Sequence, residues 1–374
     1  MKAVGVAALI GVLAVAVLVL PLAGAENERG GYGGVEAVFQ ETNGATANQI
    51  VAYEASSAGT LTWVGNFGAG GTGTGTALAD SGSLALTSND RWLLAVDAGS
   101  NQLSVLRVDT HYGAPLLTLT DTVNSGGVLP VSVAISGSTV YVLNDGNAVT
   151  PGNIAGFFLS GWGQLTPIVG SSEPLSTSGA TGAAEIAFSP SGGSLVVTEK
   201  ATNLLDVYTV NRHGVAGGPT SYPSQGTTPY GFAFSGSRHI VVSEAATGSA
   251  SSYALSRSHG IQVVSVSVSD LNGAPCWVTV SANGAIAFVS NTHSDTISTY
   301  AVSRGGALTL TQSVAATTQA GPADMALGSH GQFLYVYDGG AADLQAFHVY
   351  GGGSLTSAQT VTGLTAGTEG LVAT

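Results

Sequence analysis

The segment TEGLVAT at residues 368–374 repeats a pattern that the chain has already used six times. The earlier copies are GSLALTS (82–88), PVSVAIS (130–136), AAEIAFS (183–189), PYGFAFS (229–235), PCWVTVS (275–281) and PADMALG (322–328). The copies finish at positions 88, 136, 189, 235, 281, 328 and 374, so their spacing is 46 to 53 residues. One supersecondary unit therefore recurs along the chain.

Each unit can be divided into four short strands. The apolar copy is followed by a turn such as SPSGG (189–193) and by a β-branched second strand such as SLVVTE (194–199). A third strand such as NLLDVYTV (203–210) precedes a fourth that starts at a glycine, as at Gly306. Seven units of four antiparallel strands are typical of β-propeller blades. The sequence therefore predicts an all-β, seven-bladed β-propeller.

The two ends of the repeat array predict how the ring closes. The seventh copy, 368–374, has no further strands after it, whereas Val35 to Phe67 reads as the later strands of a unit without its first strand. We therefore expect 368–374 to complete blade one beside the N-terminal strands, which leaves only short sheet edges unpaired. The propeller would be one domain spanning residues 35–374.

The N-terminal segment has the pattern of a secretory signal peptide. An apolar run from Ala3 to Leu20 follows Lys2, and the small residues Ala23-Gly24-Ala25 follow the run. We expect a signal peptide at 1–25, cleavage before Glu26, a linker at 26–34 and a secreted, extracellular or cell-envelope protein. The alternative is an uncleaved membrane anchor, because the run is nearly as long as the ~20 residues that span a bilayer. No other segment is expected to cross a membrane.

The charge of the chain limits the partners that it can bind, and its cysteine content limits how the ring can be held together. Without Lys2 the mature chain keeps 8 basic residues against 22 acidic ones. Such a chain repels phosphate backbones, so nucleic acid is excluded as the expected partner. The single Cys276 has no second cysteine with which to form an internal disulfide, so core packing and hydrogen bonding must hold the ring. We expect a monomer.

Several longer stretches resemble a known family. They include SPSGGSLVVTEKATNLLDVYTV (189–210), VVSEAATGSASSYAL (241–255), APCWVTVSANGAIAFVSNTHSDTISTY (274–300) and ADMALGSHGQFLYVYD (323–338). These stretches look like the lactonase-like seven-bladed propellers, a group similar to the 6-phosphogluconolactonases and to the cyclases that act on 3-carboxymuconate. The resemblance covers nearly all of residues 35–374 and implies the fold, with lactone hydrolysis as the associated reaction. Fold alone does not establish that reaction.

The resemblance implies an anion clamp that this chain lacks. Catalytic relatives are expected to place an Arg-His pair at the start of the first strand of blade four, where this sequence has Ala184-Glu185. The pair Arg238-His239 begins a second strand, so it should lie at the opposite rim of the ring. Glu199 does occupy the position of the glutamate expected at the end of the second strand of blade four. It is the residue that an enzymatic interpretation retains as acid or base.

The ends of the seven second strands form a polar column in the repeat alignment. Its members are Glu41, Asp97, Asn144, Glu199, Glu244, Asn291 and Asp338. Each side chain could cap its own turn by bonding nearby backbone N–H groups. Alternatively, the longer carboxylates could point into the channel mouth and bind a cation or a ligand, or act as general acid or base.

Lys200 is the only lysine left after signal cleavage. It could form a surface ion pair, or it could hold Glu199 or a substrate oxyanion. The predicted catalytic residues are thus Glu199 and Lys200.

Further ligand-binding candidates lie where the first strands begin, near the axis. Tyr230 and Trp277 could stack on a sugar ring or a flat lactone, or they could be core residues. Cys276 beside them is most simply a small buried hydrophobe. Glu185 and Glu369 should lie around the same axis, together with Asp324.

Familiar cofactor motifs are absent from the sequence. GAGGTG (68–73) matches a dinucleotide fingerprint by letter, but no helix follows it, so it reads as a glycine loop between blades one and two. The seven histidines lack metal-ligand spacing. We expect no cofactor and no bound metal, except for a cation at the acidic ring if the column converges.

Three functions fit the sequence. The first is a secreted propeller that binds a lactone, sugar-like or carboxylate ligand at the channel mouth. The second is a lactone hydrolase that uses Glu199 and Lys200. The third is a non-catalytic scaffold that binds a cell-envelope component.

Overall fold

The computed structural model describes Met1 and residues 36–110, 113–256, 258, 260–328 and 330–374. The predicted linker 26–34, and the predicted signal peptide after Met1, lie outside the described residues. Among the described residues no helix is long and apolar enough to cross a membrane.

Seven antiparallel sheets form a ring, which confirms the predicted seven-bladed propeller. Strands are numbered within each blade from the axis outward. The first strands of blades one to seven are Glu369–Ala373, Leu84–Leu86, Pro130–Ser136, Ala183–Phe188, Pro229–Ser235, Pro275–Val280 and Pro322–Leu327. The second strands are Glu36–Glu41, Trp92–Asp97, Thr139–Asn144, Ser194–Glu199, His239–Glu244, Ile286–Asn291 and Phe333–Asp338.

The outer strands complete the blades. The third strands are Gln49–Ala55, Gln102–Asp109, Asn153–Leu159, Leu204–Val210, Ser249–Ser256, Thr296–Val302 and Asp343–Val349. The fourth strands are Leu61–Gly68, Leu116–Asn124, Leu165–Pro167 with Glu173–Pro174, Ala216–Pro223, Gly260–Ser269, Leu308–Thr317 and Leu355–Val361. Blade three differs because both of its short outer segments pair with the third strand. A short 3-10 turn, Gly351–Gly353, precedes the last fourth strand.

The C-terminal strand closes the ring, as predicted. Glu369–Ala373 pairs antiparallel with Glu36–Glu41, with Phe39 opposite Val372. Thr374 continues the contact, because its N–H donates to the carbonyl of Ala37 and its Oγ1 accepts from the Ala37 N–H, both at 2.9 Å. The closing strand is therefore the innermost strand of blade one, and the remainder of that blade comes from the other end of the chain.

Apolar packing between neighbouring blades holds the ring together. The middle four residues of every second strand are buried, because each faces a neighbouring blade on both sides of its sheet. One core cluster joins blade seven to blade one through Tyr53, Phe333, Tyr335 and Leu371. Burying each large apolar side chain contributes about 1.5–3 kcal/mol, so closure adds apolar packing to the backbone pairing.

A turn glycine allows one of these inter-blade contacts. Gly59 has a φ of 78°, and a Cβ there would lie 2.3 Å from the ring of Phe333 in blade seven. We expect Gly59→Ala to lower the free energy of unfolding by about 2–4 kcal/mol, because backbone strain and overpacking add. Gly137→Ala is the matched control, since Gly137 has a φ of 60° and no described residue lies within 4 Å of the place that its Cβ would take. Equal urea midpoints for the two variants would show that the Phe333 contact is unimportant.

Candidate functional site

The first strands begin irregularly, and this aims their side chains at the channel mouth. Pairing with the second strand shifts register between Ala183 and Glu185 in blade four, and between Pro322 and Met325 in blade seven. Blades three, five and six have the same interruption. Such bulges re-aim side chains out of the sheet. The residues at or beside these interruptions include Glu185, Trp277 and Asp324.

Several of these side chains connect one blade to the next. Glu185 Oε2 accepts from the Phe232 N–H in blade five at 2.7 Å. Asp324 accepts from the N–H of Met325 at 2.7 Å, and the Leu371 N–H of the closing strand lies against the same carboxyl. The carboxyls are therefore held in fixed positions by backbone donors.

A loop segment also crosses the channel mouth. Residues 76–82, here called the crossing segment, lead from blade one to blade two. The Leu78 N–H donates to Glu369 Oε1 at 2.7 Å, and the Ser81 N–H donates to the carbonyl of Ala184 in blade four at 3.0 Å. Because it binds blade one at one side and blade four at the other, the segment brings Asp80 to the axis.

Lys200 contacts both the crossing segment and an aromatic ring at the channel mouth. Its Nζ donates to the carbonyl of Ala79 in the crossing segment and lies 4.8 Å from the centre of the Tyr230 ring. The Tyr230 ring is in turn 5.1 Å from that of Trp277, centroid to centroid, at an angle of 55°. The ammonium group therefore lies between an aromatic pair and a group of carboxyls.

Four carboxyls, those of Asp80, Glu185, Asp324 and Glu369, form what is called here the carboxyl cluster. Burial raises the pKa of Glu185 to about 8, that of Asp324 to about 7 and that of Glu369 to about 8. Burial also raises the pKa of Asp80, with repulsion from Glu369 adding to the effect and attraction to Lys200 opposing it. Near neutral pH Glu185 and Glu369 therefore hold protons that ordinary carboxyls have lost.

These shifts predict how stability depends on pH. The unfolded chain loses its carboxyl protons from about pH 4, whereas in the folded protein Glu185, Asp324 and Glu369 keep theirs to about pH 7–8. The free energy of unfolding should therefore fall as the pH rises from 5 to 8.

Glu185→Gln removes one of the titrating groups and keeps an oxygen to accept from the Phe232 N–H. We expect it to reduce the loss of stability between pH 5 and pH 8 by about 1–2 kcal/mol, as measured by urea unfolding. Glu54→Gln, outside the cluster, is the control. An unchanged pH dependence in Glu185→Gln would contradict the assigned shift.

Two buried polar atoms at the mouth have no hydrogen-bond partner among the described residues. They are Oδ2 of Asp80 and Nε1 of Trp277, which belong to side chains that are 1% and 6% exposed. An unpaired buried polar atom costs free energy, so it indicates a missing partner. One acceptor and one donor are thus available to a bound molecule. Cys276, adjacent to Trp277, is a buried thiol whose pKa burial raises to about 11, so it is a poor nucleophile.

Most of the polar column lies away from the carboxyl cluster. Glu41 is an exception, because its charge raises the pKa of Asp80 and the charge of Glu369 raises the pKa of Glu41. Glu199 accepts from the Ser176 N–H at 2.9 Å and from Thr202 Oγ1 at 2.6 Å, within blade four and the linker that enters it. Glu244 accepts from Ser224 Oγ at 2.6 Å and Ser251 Oγ at 2.5 Å in the same way. Glu199 and Lys200 are neighbours in sequence, but their hydrogen bonds go to different parts of the molecule.

The remaining column members are also buried. Asp97 accepts from Ser104 Oγ at 2.6 Å, and Asn291 donates to Ser298 Oγ at 2.8 Å. The others lie against nearby turns and linkers: Glu41 against Asn48, Asn144 against Ser125, and Asp338 against Thr318. These bonds tie the second strands to turns, linkers or third strands, except at Asp338, whose carboxyl oxygens have no hydrogen-bond partner among the described residues. Within the described ranges no set of three His, Cys, Asp or Glu side chains could hold a metal ion.

The structure thus brings together one part of the predicted site. Glu185, Lys200, Tyr230, Trp277 and Glu369 meet at the mouth, with Asp324 beside them. The sequence interpretation missed Asp80, which lies in a linker without a counterpart in the repeat alignment. Its position just before the first repeat copy, GSLALTS, was the available signal.

Comparison with known proteins agrees with this architecture. Residues 257–367 match the family model described as lactonase, 7-bladed beta-propeller. The fold is similar to that of the periplasmic gluconolactonase PpgL of Pseudomonas aeruginosa, with 18% identity, a TM-score of 0.70, and coverage of 90% of this chain and 98% of that one. No curated protein sequence matches.

Two Bacteroides proteins described as candidate 6-phosphogluconolactonases are also similar. The one from Bacteroides fragilis has 13% identity and a TM-score of 0.72 and covers 91% of this chain and 97% of its own. The one from Bacteroides uniformis has 15% identity and a TM-score of 0.73 and covers 91% of this chain and 99% of its own. At these identities the structural likeness shows the fold. The matched segment and the shared fold together fit the lactonase-like family of seven-bladed β-propellers.

Proposed function

We propose that the channel mouth binds an uncharged lactone and hydrolyses it. The observation that carries this proposal is the position of the Lys200 ammonium group, which interacts with Asp80 and Glu369 of the carboxyl cluster and lies next to the Tyr230–Trp277 pair. Ester hydrolysis needs a base for water, a donor for the oxyanion and an acid for the leaving alkoxide. The mouth contains a candidate for each role.

Asp80 is the candidate general base. Its Oδ2 has no partner among the described residues, whereas the described contacts of Glu369 and Asp324 show each accepting a backbone N–H. Ionised Asp80 would take a proton from water as the water oxygen attacks the lactone carbonyl carbon. Its raised pKa makes it a stronger base than an ordinary aspartate once it is ionised.

Lys200 and Glu185 would supply the other two roles. An ammonium group has three N–H donors, and Lys200 uses one for the Ala79 carbonyl, so others can bind the developing oxyanion. When the ring C–O bond breaks, protonated Glu185 would give its proton to the leaving alkoxide. The product is a hydroxy acid. Before the next cycle Asp80 releases to solvent the proton that it took from water, and Glu185 takes up a proton from solvent.

The substrate class follows from the charges at the mouth. The mouth holds four carboxyls and one ammonium group, and Ala184-Glu185 stands where the resemblance implies an Arg-His pair. A phosphorylated or carboxylated lactone would meet no described cation there other than Lys200. A neutral sugar lactone could stack on Tyr230 or Trp277 and accept from Trp277 Nε1.

A panel of lactones tests this function. Hydrolysis of neutral aldonolactones, a phosphorylated aldonolactone and muconolactones would be followed with a pH indicator and corrected for the spontaneous rate. We expect turnover of neutral aldonolactones above that of the charged ones. No acceleration of any lactone would contradict hydrolysis. Saturable binding without turnover would instead favour the non-catalytic binding protein.

We also propose that the protein acts outside the cytoplasm as a monomer. The N-terminal sequence supports export, and the similar gluconolactonase of Pseudomonas aeruginosa is periplasmic. The mass of the exported protein is expected to correspond to a chain that begins at Glu26. A mass that includes residues 1–25 would support the membrane-anchor alternative.

A further inference from the structure

The face of the ring opposite the channel mouth differs in charge from the mouth. On that face lie the turns between first and second strands and between third and fourth strands. In blades four to seven the described residues of these turns are 189–193, 211–215, 236–238, 258, 281–285, 303–307, 328, 330–332 and 350–354. Their sequences contain no Asp or Glu, but they do contain Arg212, His213, Arg238, Arg304 and His330. A chain with a net charge of −13 thus places several of its few basic residues on one part of its surface.

A cavity of about 450 Å³ lies in this basic region, between blades five and six. Its polar lining comes from three turns and includes Ser237, Arg238, His239, Asn283, Ser303 and Arg304. None of the described residues that line it is acidic. Arg238 and Arg304 belong to different blades, so the two arginines that line the cavity come from blades five and six.

The neutral polar groups of the cavity are also able to donate hydrogen bonds to a ligand. Asn283 Oδ1 accepts from Ser281 Oγ at 2.8 Å and from the Ala285 N–H at 3.0 Å, so its amide N–H groups are what it can offer a ligand. Ser303 Oγ accepts from the Ala307 N–H at 3.0 Å, which leaves its hydroxyl hydrogen for donation.

Backbone geometry shapes the cavity wall beside His239. Gly306 has a φ of 84°, and a Cβ there would lie 2.5 Å from Cδ2 of the His239 ring. The absence of that Cβ lets the imidazole occupy its position, where it is 8% exposed. The lining is therefore formed by fixed groups as well as by exposed arginines.

The two arginines of the cavity favour tetrahedral anions over planar carboxylates. One arginine alone can satisfy a planar carboxylate with two parallel hydrogen bonds. Two arginines on separate turns, in a cavity that is also lined by residues with hydroxyl and amide donors, can be satisfied together by a tetrahedral oxyanion, which presents oxygens in several directions. Phosphate and sulfate groups have this shape.

We propose that the cavity between blades five and six binds a tetrahedral oxyanion, the phosphate or sulfate group of a ligand, through Arg238 and Arg304. This site is on the opposite face from the channel mouth and does not depend on lactone hydrolysis. It gives the protein a second ligand class, in contrast to the neutral substrate of the mouth.

Isothermal titration calorimetry of the full chain at low ionic strength tests the proposal. Inorganic phosphate, sulfate and acetate are the probes. Arg238→Gln and Arg304→Gln should each weaken phosphate binding about tenfold or more, because each removes charge-assisted hydrogen bonds. Arg107→Gln is the matched control, since Arg107 is an exposed arginine of blade two, 3.5 Å from Asp109. Lactone turnover should be the same in all three variants.

Each outcome of the titration either supports the oxyanion site or overturns it. Saturable binding of phosphate and sulfate, with acetate at least tenfold weaker, supports the site. A lack of saturable phosphate binding overturns it, as does acetate binding of equal strength or an equal loss in Arg107→Gln. A phosphate monoester and dimethyl phosphate then distinguish the source. Preference for the monoester indicates a small phosphorylated ligand, and acceptance of the diester indicates a phosphodiester polymer.

Discussion

Removal of residues 369–374 is expected to open the ring and lower the melting temperature by about 10 °C or more, or to prevent accumulation of folded protein. The deletion removes the first strand of blade one, buried Leu371 and both hydrogen bonds between Ala37 and Thr374. Loss of a buried leucine alone costs about 2–5 kcal/mol, a large part of the 5–15 kcal/mol that stabilises a typical domain. The deletion also exposes Glu36–Glu41 as an unpaired edge.

Two smaller changes serve as graded controls. Deletion of Thr374 alone removes only its bonds to Ala37, and Leu371→Ala removes packing but keeps the strand. We expect each to lower the melting temperature by less than the full deletion does. A truncated protein that melts at the wild-type temperature would contradict closure by the C-terminal strand.

Lys200→Met is expected to reduce lactone turnover by about 10²–10³-fold, the typical effect of losing one oxyanion donor. Methionine fills a similar volume beside Tyr230 but supplies neither charge nor donor. The substitution also leaves the carboxyl cluster without its neighbouring cation, so attraction to Lys200 no longer lowers the pKa values of Asp80 and Glu369. Steady-state kinetics on a neutral aldonolactone measures the effect.

Arg91→Met is the matched control for this variant. Arg91 is also a cation over an aromatic ring, 5.1 Å from the centre of Trp92, but it lies on the opposite face. We expect it to leave turnover unchanged. If Lys200→Met retained wild-type turnover, Lys200 would not stabilise the oxyanion.

The fold could be predicted from sequence because the repeat encodes it seven times. Each copy has apolar alternation followed by turn residues, and the incomplete units at the two ends identify the closing strand. Blade three is the least regular, since its last strand is split into Leu165–Pro167 and Glu173–Pro174. Pro167 and Pro174 each lack a backbone N–H, which limits pairing at this edge.

The site was predicted only in part, for a physical reason. Repeat alignment shows which residues are equivalent, but side-chain direction depends on local pairing. The ends of the second strands, such as Glu199, pair regularly with the third strands, and their side chains remain among neighbouring strands and linkers. The first strands break their pairing near Glu185, which aims that side chain at the mouth.

Asp80 was missed because it belongs to no repeat. The crossing segment follows the glycine loop 68–73, and its path depends on distant contacts such as that between Leu78 and Glu369, 291 residues apart. Sequence alignment within the chain contains no information about such a contact. The motif at Gly68 suggested a loop, but not that the continuation of this loop would carry an acid to the axis.

The most direct measurement is the initial rate of hydrolysis of a neutral aldonolactone by the wild type and by Asp80→Asn, at neutral pH and above the spontaneous rate. Asparagine keeps the shape of the side chain but is not a base. Asp90→Asn, in a turn on the opposite face, is the control. We expect a fall of about 10²–10⁴-fold for Asp80→Asn and none for Asp90→Asn. Wild-type turnover by Asp80→Asn would contradict the proposed role of the channel mouth.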